Sequence, residues 1–117
     1  MANTICHVEF YTPDHKATAQ FFSDVFGWTT TEAMPNYILW QAGENQLGGG
    51  FSNEGVEQNG PGTVVYVHVD DIEATLAKIN EHGGKTIMGK TKISDEHGYC
   101  ALFSDPNGAT VGIWCKT

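Results

Sequence analysis

The sequence has few positive charges. Its 117 residues include 6 Lys and Arg against 14 Asp and Glu, which gives a formal net charge of −8 at pH 7. Nucleic acids and anionic membrane surfaces are both bound through clustered Lys and Arg. The composition therefore argues against both as partners. An acidic surface would attract a cationic small molecule, although most acidic proteins are simply soluble.

Long apolar runs and cysteine pairs are also missing. No window approaches the roughly 20 apolar residues of a membrane span. The opening residues, MANTICHVEF, lack the basic flank and apolar centre of a secretory signal. The three cysteines, Cys6, Cys100 and Cys115, are an odd number without CxxC spacing. We therefore expect free thiols in a reducing cytoplasm rather than disulfides or a zinc site.

The chain contains the same series of secondary-structure signals twice. Hydrophobic residues make up 40% of it, so a folded domain is expected rather than a disordered chain. Each half begins with a β-rich run, continues with an amphipathic helix that ends at glycine, and closes with three strand signals. The helices are predicted at about residues 14–26 and 71–82, ending at Gly27 and Gly83. This repetition predicts an α+β fold of two βαβββ modules.

A segment rich in Gly, Asn and Pro, NEGVEQNGPGT, separates the two halves. We predict one domain over residues 1–117, with module one at about 1–53, a linker at about 54–62 and module two at about 63–117.

Three stretches carry a family resemblance: HVEFYTPDHKATAQFFSDVFGW, YVHVDDIEATLAKINEHGGK and FSDPNGATVGIW. In this order they resemble the vicinal oxygen chelate superfamily, which includes glyoxalase I, bleomycin-resistance proteins and extradiol dioxygenases. The resemblance implies a half-open, barrel-like mixed sheet with the helices outside and a ligand cleft inside. It also implies a homodimer. Because the superfamily hosts several chemistries and some pure binders, it does not specify an activity.

Strand alternation assigns side chains to the cleft of this implied fold. His7, Glu9 and Tyr11 share one face of the first strand. In TVVYVHV, Val65, Val67 and Val69 are expected to face the helix, so Tyr66 and His68 are expected to face the cleft. The predicted cleft residues from three strands are His7, Glu9, Tyr11, Tyr66, His68 and Trp114. Further candidate walls are Tyr99, Trp40 and Phe51, of which the last two have no assigned facing. Aromatic walls with a few polar groups are typical of a small-molecule site.

The resemblance also implies four metal-ligand positions, commonly His, Glu, His and Glu. Only His7 matches, because the other positions fall near Gly49, at Val64 and at Gly112, which offer no donor atom. A catalytic divalent ion usually needs three protein ligands. We therefore predict no metal and no other cofactor.

Three functional hypotheses remain open. The first is a metal-free protein that binds a small organic molecule, acting in sequestration or resistance. The second is a lyase, isomerase or hydrolase in which Glu9 or His7 is the general acid or base, with or without a metal held by an alternative set such as His7, Glu9 and His68. The third is an interaction module with an occluded cleft. The sequence does not name the ligand.

Overall fold

The computed structural model describes residues 3–54 and 62–117. In chain order its elements are β1 Thr4–Tyr11, α1 His15–Phe26, β2 Thr29–Met34, β3 Tyr37–Gln41, β4 Gly48–Ser52, β5 Gly62–His68, α2 Ile72–Glu81, β6 Lys85–Ser94, β7 Gly98–Ser104 and β8 Thr110–Cys115. The linker predicted at about 54–62 lies largely outside the described residues. The single-domain organisation stays a prediction. Neither of these two helices has the length and apolar character needed to span a membrane.

An aspartate caps the N-terminus of each helix. The side chain of Asp14 accepts a hydrogen bond from the backbone N–H of Ala17, and Asp71 does the same for Ala74. These bonds satisfy N–H groups that have no partner inside the helix. At the other end of α1, Gly27 adopts a φ of 73°, which glycine tolerates without steric cost. The predicted helices are confirmed.

The chain divides into two compact units. The first unit is Cys6–Val64, and the second is Val65–Thr117 together with residues 3–5. The strand order is β2-β3-β4-β1 for the first module and β5-β8-β7-β6 for the second. β1 pairs with β4 in parallel, as β5 does with β8, and the other pairs are antiparallel. The predicted pair of βαβββ modules is confirmed.

The core of the first unit is aromatic and lies between α1 and one face of the sheet. Phe51 is 0% exposed and packs against the rings of Phe10 and Phe22, with centroids 5.6 and 5.4 Å away. Trp40 stacks on Trp28 at 4.1 Å. Burial of rings of this size stabilises the helix–sheet contact strongly. The side chains of Trp40 and Phe51 therefore belong to this core, which assigns the facing that the sequence left open.

The core of the second unit lies between α2 and its own sheet. It consists of Val69, Ile72, Leu76, Ala101, Ile113 and Cys115. Tyr99 pairs with Cys115 across the β7–β8 ladder, and it packs against this core. Because directly paired residues share a face of a sheet, Tyr99 lies on the helix side. Its side chain therefore lies on the side opposite the predicted cleft, together with Ile113 and Cys115.

Candidate functional site

The first unit carries a row of polar side chains on the sheet face opposite α1. His7, Glu9 and Tyr11 alternate along β1 with residues that pack towards the helix. In the parallel β1–β4 ladder, Gly48 is the partner of His7 and Gly50 is the partner of Glu9. Because these partners are glycines, β4 places no side chain beside the imidazole or the carboxylate.

A chain of polar contacts links four side chains on this face. Nε2 of His7 lies 2.7 Å from the hydroxyl of Tyr37 and 3.6 Å from Oε1 of Glu9. The hydroxyl of Tyr11 donates a hydrogen bond of 3.4 Å to Oε2 of the same carboxylate. Glu9 is only 8% exposed, whereas His7 is half-buried. An imidazole held beside a buried carboxylate can bind a ligand or transfer a proton.

Tyr37 belongs to this site, although the sequence analysis missed it. Its ring is nearly parallel to the imidazole of His7, with 7° between the planes. It also lies over Gly50, because a Cβ atom added there would overlap the phenol hydroxyl. The facing of Tyr37 follows from alternation once Ile38 and Trp40 are known to be core residues. That assignment was missing at the sequence level.

The second unit has a matching arrangement on β5 and β8. Tyr66 pairs with Gly112, and His68 pairs with Trp114. The Tyr66 ring covers Gly112 so closely that a Cβ atom would overlap it. The rings of His68 and Trp114 are 5.2 Å apart, and Trp114 Nε1 donates a 2.6 Å hydrogen bond to the carbonyl of His97. Tyr66, His68 and Trp114 thus share the sheet face opposite α2, as predicted.

An open pocket of about 450 Å³ lies on the polar face of the first unit. This volume lies within the range of small-molecule sites. Of the predicted ligand-binding residues, His7 and Trp40 line it. Among the described residues, the lining consists of Cys6, His7, Thr29, Thr31, Leu39, Trp40, Gln41, Gln46, Gly48 and Gly49.

The strand register explains why these residues meet. Thr29 pairs with Gln41, Gln41 with Gly48, and Gly48 with His7, so one row crosses all four strands. Sequence reasoning missed the two threonines of β2 and Gln41. The strand TTTEAM begins with three consecutive threonines and is exposed throughout, so its sequence gives no alternation that would assign the facing of Thr29 and Thr31.

The thiol of Cys6 is a poor nucleophile in this setting. None of the three cysteines belongs to a disulfide. Burial raises the pKa of the Cys6 thiol above its ordinary value, so the reactive thiolate is disfavoured.

The donor set does not fit the family's metal site. A Cβ atom on Gly49 would lie 2.8 Å from the indole of Trp40, so this position faces the core, and Gly50 on the polar face has no side chain. Val64 is buried and apolar, and Gly112 has no side chain either. Among the described residues, no three His, Cys, Asp or Glu side chains are grouped closely enough to hold an ion.

Comparison with known proteins defines the class. A sequence model of the Glyoxalase/Bleomycin resistance protein/Dioxygenase superfamily matches residues 4–113. The chain belongs to this superfamily, as the sequence resemblance predicted.

Two relatives show how the chain compares in length. It is 27% identical to a Mycobacterium tuberculosis protein with the provisional name glyoxylase CFP32, covering 92% of this chain and 43% of that protein. It is also 27% identical to the anthracycline biosynthesis protein DnrV of Streptomyces peucetius, covering 89% of this chain and 44% of DnrV. The chain therefore spans less than half the length of either relative.

A solved structure confirms the fold class. Methylmalonyl-CoA epimerase from Mycobacterium tuberculosis superposes with a TM-score of 0.75, covering 99% of this chain and 89% of the epimerase. The sequence identity is 12%, so the likeness concerns the fold alone.

Proposed function

We propose that the chain binds a small organic molecule in the pocket of the first unit, without a divalent metal. The observation that carries this proposal is the pocket of about 450 Å³, bordered by an imidazole that Tyr37 holds in place. A side chain that is already ordered loses little conformational entropy when a ligand arrives. We propose that no metal is bound because the ligand positions implied by the resemblance hold glycine or valine, which have no side-chain donor atom.

A second candidate is an acid–base enzyme of the lyase or isomerase type. It is favoured by the 3.6 Å approach of Glu9 to Nε2 of His7. His7 lines the pocket and Glu9 does not, so the imidazole would exchange the proton with the ligand. The buried carboxylate would stabilise the imidazolium that forms. Glu9 would then be a positioning residue, and His7 would be the general acid or base.

We also propose that the chain forms a homodimer in the cytoplasm, with no nucleic acid or membrane as a partner. The net charge of −8 argues against nucleic acid and membrane as partners. The cysteines, which form no disulfide, support the cytoplasmic location. Dimerisation is supported by the exposed edge strands β2 and β6, whose outer backbone groups can pair with another strand. Light scattering at micromolar concentration should give twice the chain mass, and a monomer would contradict the proposal.

The binding proposal is tested by thermal shift against a library of small organic molecules. A ligand at a hundred times its dissociation constant stabilises a protein by about 2.7 kcal/mol. The shift should be retained in His82→Ala, an exposed control outside the pocket, and lost in His7→Ala. Elemental analysis of protein purified without chelators runs in parallel. Stoichiometric Ni, Zn, Mn or Fe would contradict the metal-free proposal.

A proton-exchange assay separates the two candidates. Each ligand found by thermal shift is incubated with the protein in D₂O and followed by NMR. Catalysed exchange of a carbon-bound hydrogen that disappears in His7→Ala would favour the enzyme. Binding without exchange would favour the simple binding protein.

A further inference from the structure

We infer that the pocket of the first unit selects an uncharged ligand that donates a hydrogen bond to Oε1 of Gln41. This inference rests on the proposed binding function and adds the chemical class of the ligand. Two features carry it, namely the charge of the lining and the orientation of one amide group.

The described lining of the pocket has no permanently charged side chain. It consists of glycine, threonine, glutamine, leucine, tryptophan, cysteine and His7. A charged ligand would lose hydration on entry without gaining a counter-ion. When protonated, His7 would repel a cation, and its contact with Glu9 at 3.6 Å would weaken its attraction for an anion. The lining therefore favours a neutral molecule, although the negative net charge attracts cations from solution.

The amide of Gln41 has one defined orientation. Its Nε2 donates hydrogen bonds to the carbonyl oxygens of Gly43 at 2.8 Å and Gln46 at 2.6 Å. Since a carbonyl oxygen can only accept, these two bonds identify the nitrogen and use both of its hydrogens. The Oε1 atom faces the pocket glycine Gly48, where an added Cβ atom would lie 2.8 Å from it. These two bonds therefore orient the amide so that Gln41 presents a hydrogen-bond acceptor, and not a donor, to the pocket.

The neighbours of Gln41 define the rest of the ligand. Thr29 lies opposite Gln41 and Thr31 opposite Leu39 on the exposed strand β2. A threonine hydroxyl rotates and can donate or accept, so it does not discriminate between ligands. Leu39 supplies an apolar surface beside the acceptor. The matching molecule has an apolar body and an amide N–H or a hydroxyl group.

Four compounds with the same ring separate charge from hydrogen bonding. Benzamide is neutral and carries N–H donors, N,N-dimethylbenzamide is neutral without them, benzoate is an anion and benzamidinium is a cation. Each is titrated to millimolar concentration into the ¹⁵N-labelled full chain. The readout is the backbone signals of Gly48 and Gly49 and the side-chain amide of Gln41. Benzamide should bind roughly tenfold more tightly than each of the others, about the effect of one hydrogen bond.

Two variants test the acceptor from the side of the protein. Gln41→Met keeps the length of the side chain and removes the acceptor, so it should reduce benzamide affinity to that of the dimethyl compound. Gln20→Met changes an exposed glutamine of α1, remote from the lining, and should change nothing. Backbone signal dispersion verifies that each variant is folded.

Each outcome has a defined meaning. If benzoate or benzamidinium binds as tightly as benzamide, the preference for an uncharged ligand is wrong, although the pocket is still a binding site. If N,N-dimethylbenzamide binds as tightly as benzamide, the requirement for a hydrogen-bond donor is wrong. Unchanged benzamide affinity in folded Gln41→Met would remove Gln41 from recognition. If none of the four compounds shifts Gly48 or Gly49, the inference is wrong, and the proposed function then depends on the library screen alone.

Discussion

The hydroxyl of Tyr37 on β3 lies 2.7 Å from Nε2 of His7 on β1, so two strands that are not neighbours share one polar contact. The contact passes over β4, where Gly50 leaves the space that the tyrosine ring fills. Tyr37 can therefore orient the imidazole of His7 only because Gly50 on β4 has no side chain.

Removing the hydroxyl of Tyr37 should make the imidazole of His7 more mobile. We expect Tyr37→Phe to lower the free energy of unfolding by about 1 kcal/mol, the usual net value of one hydrogen bond. Ligand-induced stabilisation should also decrease, because His7 is no longer held. Urea unfolding and the NMR line width of the His7 ring measure the two effects. Tyr99→Phe on the helix side is the matched control, and equal effects in both variants would contradict the prediction.

Adding a methyl group at Gly50 should displace Tyr37. We expect Gly50→Ala to destabilise the protein by about 1–3 kcal/mol, the usual cost of overpacking. The same change should cost less in a Tyr37→Ala background, because the overlap is gone. Gly89→Ala is the control, since a Cβ atom there meets nothing within 4 Å. A double-mutant cycle from urea unfolding provides the measurement, and strict additivity would disprove the overlap.

Alkaline pH should remove the contribution of Cys6 to stability. Burial raises the pKa of its thiol in the folded protein, so the folded state favours the protonated form. The contribution is complete below the unfolded pKa of about 8.5 and decreases as the pH rises through the folded value. The difference in unfolding free energy between the unchanged protein and Cys6→Ala should therefore shrink at high pH. A difference that grows with pH would show that the sign is wrong.

Tyr66 should matter for stability more than for stacking against a ligand. It is 7% exposed and its ring packs on Gly112. We expect Tyr66→Ala to cost about 3–5 kcal/mol, as for other large aromatic residues truncated in a core. Met34→Ala, at a 43% exposed apolar residue, should cost far less. Thermal and urea unfolding measure both, and similar small losses would mean that the ring is not a packing element.

The sequence predicted which side chains point towards the helix wherever one side of a strand was uniformly apolar. Val67 and Val69 lie on the α2 side of the second unit as predicted, and the facing of Tyr66 and His68 follows from them. β3 gave no such signal, because Tyr37 and Leu39 alternate with Ile38 and Trp40 and both faces look apolar. The facing of Trp40 therefore needed the packing of α1, which alternation does not contain.

The pocket is harder to predict than the faces that surround it. Gly48 lines the pocket, and the space beside a glycine depends on which residues the neighbouring strands place there. The sequence analysis assigned the metal-ligand position to the neighbourhood of Gly49, one residue away from the polar face. A shift of one residue reverses the facing of a strand, so the glycine run alone could not identify the open position.

The two tyrosine–glycine pairs restrict the order in which mutations can accumulate. A glutamate at position 50 would overlap Tyr37, and one at position 112 would overlap Tyr66. At each position the ring must move aside or become smaller before a carboxylate can be accommodated, so a library that varies only the glycines should yield few folded variants. Libraries that vary each tyrosine together with its glycine open the path. A carboxylate at position 50 or 112 of this chain therefore depends on a change in the ring that covers that glycine.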